Sequence, residues 1–186
     1  MANTDAAFGL KAIGKVGQNR DNQGLSEYSI AASTAVIYNS DPVALDADGE
    51  LVRGTAGATN YLLGSLNGVY YTDASSSKPT WANHLAASNT ATDIVGFVSD
   101  DPYERFEIQS AGTVAQTNIG NCAAVVLGAG VAPNWVSKAE INGTMANTAS
   151  QLKILGLAKD EGNEFGANAN VVVIISQHQL KQEAGI

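Results

Sequence analysis

Cysteine and histidine chemistry needs those side chains in clusters, and this chain offers one cysteine, Cys122, and two distant histidines, His84 and His178. Neither a Cys/His zinc site nor a disulfide framework is compatible with that count. Asn83-His84-Leu85 and Gln177-His178-Gln179 are not recognisable catalytic settings, and no Gly-x-Ser-x-Gly elbow is present. Cys122 opens an apolar run and is expected to be a small buried core residue. That run, CAAVVLGAG, imitates the start of a dinucleotide fingerprint at Gly128-Ala129-Gly130. Pro133 holds the third glycine position, however, and Asn134-Trp135 does not open a helix. Asp46-Ala47-Asp48-Gly49-Glu50 has the look of a calcium loop. Thr55 stands where a bidentate Glu is needed, so a hairpin turn is the simpler reading. Asp100-Asp101 before Pro102 reads as a β-turn. Asn142-Gly143-Thr144 matches a glycosylation sequon without a signal peptide to deliver it. The expectation is no catalytic residue, no metal site and no cofactor.

The elements that would position these residues are short strands. SEYSIA alternates with Tyr28 and Ile30 on one face, and AVIYN follows it before Asp41-Pro42 interrupts the ladder. VAL and ELV flank Asp46–Gly49 as a tight hairpin whose Gly49 takes positive φ. GVYYT, PTWA and DIVGFVS follow. From Arg105 to Gln109, Phe106 and Ile108 point one way and Arg105, Glu107 and Gln109 the other. Val171–Ile175 is a run of β-branched residues that predicts a buried central strand. In QLKILGLA, Leu152 and Ile154 share a face while Leu155 and Leu157 fall opposite, so both faces are covered or a bulge near Gly156 restores the register. Single helical turns are expected at Thr113–Gly120 and His84–Ala87, and a short helix at Gln177–Ala184. The first 24 residues show no period, with Phe8, Leu10, Ile13 and Val16 scattered among glycines. The expected architecture is mainly β: an antiparallel sandwich or barrel (residues 25–186, one domain), with few short helices and an extended N-terminal arm (residues 1–24).

The 186 residues suit a single domain, and 45% hydrophobic content suffices for a core. A formal charge of −8 argues against nucleic acid as a partner, and no apolar run reaches membrane-spanning length. Charged residues make up 15% of the chain, so Asn, Ser, Thr, Gly and Ala must cover much of the surface. Such a surface packs against neighbours with little entropy or desolvation cost, as in a protein that lives inside an assembly.

The order MANTDAAFGLKAIG, EYSIA, SDPVAL, VSDDPYERFEIQ, QLKILGLA and a closing strand ending in QHQL resembles a family of small tailed-bacteriophage virion proteins, the capsid decoration or cement proteins. Nearly the whole chain is covered, although family members commonly carry proline where Ala7 stands. The resemblance implies a non-enzymatic β-rich protein, made in the host bacterial cytoplasm, that binds the capsid exterior and clamps neighbouring subunits of the major capsid protein. Self-association, as a trimer, would suit threefold lattice junctions. Phe8, Leu10 and Ile13 would be apolar anchors of an arm whose removal (residues 1–20) leaves the β domain folded. Two other classes stay open: a head-fibre base or tail component, and a carbohydrate- or cell-surface-binding module with Trp81, Tyr70 and Tyr71 as a stacking platform. Burial in the sandwich is the plainer expectation for those aromatics.

Overall fold

A computed structural model describes residues 3–16, 24–32 and 35–181. The strands in chain order are β1 (Lys11–Lys15), β2 (Ser26–Ser29), β3 (Pro42–Leu45), β4 (Leu51–Arg53), β5 (Gly64–Thr72), β6 (Pro79–Ala82), β7 (Val95–Ser99) and β8 (Glu104–Gln109). They continue with β9 (Thr113–Val114), β10 (Cys122–Ala123), β11 (Val125–Val126), β12 (Glu140–Ile141), β13 (Leu152–Leu157), β14 (Gly166–Ala167) and β15 (Asn170–Ile175). Two antiparallel sheets dominate. One runs β1-β8-β15-β13-β10; the other runs β2-β7-β5-β3-β4, with β6 also paired to β5. The fold is mainly β and sandwich-like, with no closed barrel among the described residues. Helical structure there amounts to two single 3-10 turns, Gln116–Asn118 and Gln179–Lys181.

Each large sheet has its own apolar cluster. Phe106, Ile108, Ile154, Val171, Val173 and Ile175 fill the first. Ile30, Val43, Leu51, Leu66, Val69 and Val98 fill the second. Between β4 and β5 the chain serves both, since Leu62 packs into the first cluster and Leu63 into the second. The β-branched run Val171–Ile175 lies in β15, the middle strand of its sheet, as its composition predicts. In β13 the register shifts between Ile154 and Gly156, so the bulge alternative holds there and Leu155 is left exposed. The Asp46–Gly49 hairpin joins β3 to β4, with Gly49 at φ +77°. Pro42 opens β3 rather than ending a ladder, a position where its missing N–H costs least.

Three expectations need correction. Residues 11–15, read as part of an unpatterned arm, form edge strand β1 on β8. A register shift between Ala12 and Gly14 scrambles the period that would have revealed the strand. His84–Ala87 makes no helical turn, because Leu85 exchanges both backbone hydrogen bonds with Ile37 at 2.8 and 3.1 Å. Cys122 is half-buried on the outermost strand of its sheet instead of lying in the core. Of the tail segment, Gln179–Lys181 forms a turn and residues 182–186 lie outside the described set.

Candidate functional site

The three arm residues end up in different surroundings. Leu10 is fully buried in the first apolar cluster, so it is a core residue of its own domain and no anchor for a partner. Its N–H donates to Ser40 O at 2.8 Å, and its carbonyl accepts from Ser65 Oγ at 2.5 Å. Gly9 makes this threading possible: at φ +79°, a Cβ there would sit 2.4 Å from Ser40 O. Phe8 is half-buried, whereas Ile13 is 41% exposed. Removing residues 1–20 would therefore delete a strand and a core side chain together.

Ahead of Gly9 the chain is pinned to β8 and to the 164–167 segment by side-chain amides. Gln109 accepts from Ala6 N at 2.8 Å and donates to Thr4 O at 2.9 Å. Asn3 donates to Glu164 O and Ala167 O, both at 2.9 Å. Gln109 thus acts as a surrogate strand partner for the incoming chain, which is why this nominally outward residue is buried.

Beyond Leu10, β1 runs to the end of its sheet and meets the turn between β7 and β8. That turn closes with Glu104 N donating to Asp101 O at 2.9 Å and has Pro102 second. The two aspartates hold different segments. Asp100 accepts from Ser26 Oγ at 2.8 Å and Tyr28 Oη at 2.5 Å, fixing β2. Burial, and then Asp100 itself, push the Tyr28 hydroxyl pKa upward, so Tyr28 stays a donor. Asp101 pairs with Lys15 Nζ at 2.7 Å, fixing β1, and this ammonium is the main cause holding its carboxyl below the usual range. Asp100 and Asp101 are therefore staples at the two ends of the segment joining β1 to β2.

A cleft of about 490 Å³ opens here, lined by Ala12, Lys15, Leu25, Asp100, Pro102 and Leu180 among others. Exposed apolar groups stand on β1 and at the cleft: Ile13 and Val16 on the chain of β1, then Leu25, Tyr103 and Leu180. Val16 N donates to Tyr103 O at 2.9 Å, and Lys181 Nζ lies 4.4 Å from the Tyr103 ring centroid. An edge strand carrying apolar side chains beside such a cleft has the form of a contact surface for another protein.

The two histidines sit in different packing environments. His84 stacks on Trp135 at 4.7 Å, Trp135 lies 6.4 Å from Tyr38, and burial lowers the His84 pKa. His178 is buried and accepts from Leu180 N at Nδ1, 3.1 Å away. Burial first, and the Lys181 charge second, press its pKa down to about 4. No group of three or more metal-ligating side chains gathers among the described residues. CAAVVLGAG is divided between two sheets, because the carbonyl of Ala124 turns aside to accept from Asn142 N at 2.8 Å.

A buried ion pair passed unnoticed in the sequence. Asp41 is fully buried and faces Arg53 at 2.7 Å from Nε and 3.0 Å from Nη2. Ser137 Oγ and Tyr38 N also donate to Asp41, while Arg53 Nη2 donates to Gly128 O. The Arg53 guanidinium stands 5.0 Å over the Tyr38 ring. Burial raises the Asp41 pKa and these donors pull it back. The node ties β3 and β4 to the 128–137 loop and has the character of a fastening. A single Asp-Pro and a lone Arg twelve positions on give no sequence pattern that would pair them.

Comparison with protein-family models, with curated proteins and with solved structures found no match. No helix among the described residues is long and apolar enough to cross a membrane.

Proposed function

We propose that this chain is a non-enzymatic virion protein of a tailed bacteriophage that binds the capsid exterior and holds neighbouring major capsid subunits together. The observation that carries the reading is the end of the β1–β8 sheet. Exposed Ile13 stands in β1, and exposed Val16 follows the strand's end with its N–H on Tyr103 O, near the cleft that Leu25 and Leu180 line; the end is fastened by the Asp100 and Asp101 of the VSDDPYERFEIQ segment on which the resemblance rests. An edge strand can extend a partner's sheet by backbone hydrogen bonds while its apolar side chains supply affinity. A ligand of the assembled shell stabilises that shell by mass action. Self-association as a trimer would add avidity by engaging several subunits at once.

The test is co-sedimentation with expanded phage heads that lack the protein. Saturable binding at a fixed ratio to the major capsid protein, with heads that resist heat better, supports the proposal. Ile13→Ser and Val16→Ser should weaken binding without unfolding the protein. Failure of the parent protein to bind intact expanded heads would refute it.

A further inference from the structure

The outer face of the β2-β7-β5 sheet carries aromatic rings where a sheet face usually turns polar side chains to water. Register places Trp81 of β6 directly across from Tyr70 of β5, and the two are 57% and 39% exposed. Phe97 of β7 lies beside Trp81, with ring centroids 4.7 Å apart. Tyr71, on the opposite side of β5, packs against the second apolar cluster instead. The expected burial therefore holds for Tyr71 and fails for Tyr70 and Trp81.

Trp81 occupies the space that the missing Cβ of Gly68 leaves. It lies over Gly68, where a Cβ would come within 2.7 Å of indole Cζ2 and 3.2 Å of Cε2. The indole is thus seated over the Gly68 backbone with Phe97 tilted against it, and Trp81 remains more than half exposed. Polar groups share this face. Glu27 stands opposite Phe97, Ser29 opposite Val95, and Asp93 accepts from Thr72 N at 3.0 Å. The strand residues on this face include no Lys or Arg among those described.

We propose that this face binds a neutral glycan, with one pyranose ring stacked on Trp81 and Tyr70 and hydroxyls of the same oligosaccharide donating to Asp93 and, further across the sheet, to Glu27. A flat, immobilised ring with acceptors at its margins suits the apolar face and equatorial hydroxyls of a pyranose. Protein interfaces are depleted of Asp and Glu at their aromatic centres, which disfavours a protein occupant. The carboxylates and the net charge of −8 disfavour an anionic sugar. The proposal stands apart from the proposed capsid contact, which is centred on β1 and the β7–β8 turn.

Maltohexaose, cellohexaose and chitohexaose are titrated into the full chain while tryptophan emission is followed, with polygalacturonate as the anionic comparison. Trp135→Phe is used as background so that Trp81 alone reports. Saturable quenching by at least one neutral hexamer, and none by polygalacturonate, is expected. Trp81→Ala, read by calorimetry, should weaken binding at least about tenfold, and Tyr70→Ala, which leaves Trp81 on Gly68, should weaken it several-fold. No saturable signal with any of the three neutral sugars would overturn the proposal. So would a parent oligomer that dissociates on Trp81→Ala in sedimentation equilibrium, since a second copy would then own the face.

Discussion

Replacing Leu10 by alanine separates a core role from a contact role for the N-terminal segment. The side chain is fully buried among residues of the β8, β13 and β15 sheet, so the change removes three carbons from a packed interior. Large-to-small core changes of this kind cost about 2–5 kcal/mol, with the upper part reached where the surroundings cannot collapse. Here collapse is restricted, because the backbone is tied on both sides by Leu10 N to Ser40 O and Ser65 Oγ to Leu10 O. Gly9 is wedged against Ser40 and Ser137 as well. A loss of about 3–4 kcal/mol follows, and for a domain of this size each kcal/mol lowers Tm by roughly 2–4 °C. Calorimetry should show Leu10→Ala melting about 6–16 °C below the parent. Ile13→Ser, at an exposed position three residues on, should stay within about 0.5 kcal/mol. Below both melting points, head binding should be weakened by Ile13→Ser and kept by Leu10→Ala. A Leu10→Ala protein that melts within about 1 °C of the parent would refute the reasoning, since the segment would then be docked on the domain without being part of its core.

Other perturbations test the polar interior. His178, pressed down to about 4 in the folded state against an ordinary 6.5, stays neutral while the unfolded chain takes up its proton. Stability should therefore be complete above about pH 6.5 and fall as pH drops towards 4. The loss is at most about 3 kcal/mol from this group, and denaturant melts of His178→Asn should show a correspondingly flatter pH profile. An identical profile for parent and variant would refute this. Arg53→Ala leaves Asp41 buried without its counter-charge and should cost roughly 3–5 kcal/mol, whereas Asp41→Ala on top of Arg53→Ala should cost much less than its single effect. Urea melts of the double-mutant cycle would contradict the node if the two effects simply added.

How much of this was legible depends on whether a residue's role is local. The alternation of Phe106 and Ile108, the β-branched run of β15 and the Asp46–Gly49 hairpin are short-range patterns, and the structure repeats them. The bulge in β13 was visible as two faces that disagree; the one in β1 was not, because Lys-Ala-Ile-Gly-Lys holds a single large apolar residue and so leaves no period to break. Polar residues were harder still. Gln109, placed by alternation on the face opposite Phe106, is buried, and with Gln151 and the partly buried Gln179 it fastens distant backbone. The Gln151 amide accepts from Val125 N and donates to Thr55 O, and the Gln179 amide closes a pair of bonds with Leu45 N and O. An uncharged amide can replace a strand partner without the desolvation cost of a charge, which gives the low-charge composition a second cause inside the molecule. The partners of these amides lie 26 to 134 residues away, so no window along the chain could have found them. Trp81 is the converse case: an aromatic in a strand is ordinarily core, and only the pairing that brings it over Gly68 turns it outward. The direction that an exposed strand residue takes is therefore set by pairing across strands. Ile13 in β1 and Tyr70 and Trp81 on the other large sheet are exposed, and they are the positions at which the two proposals place a partner.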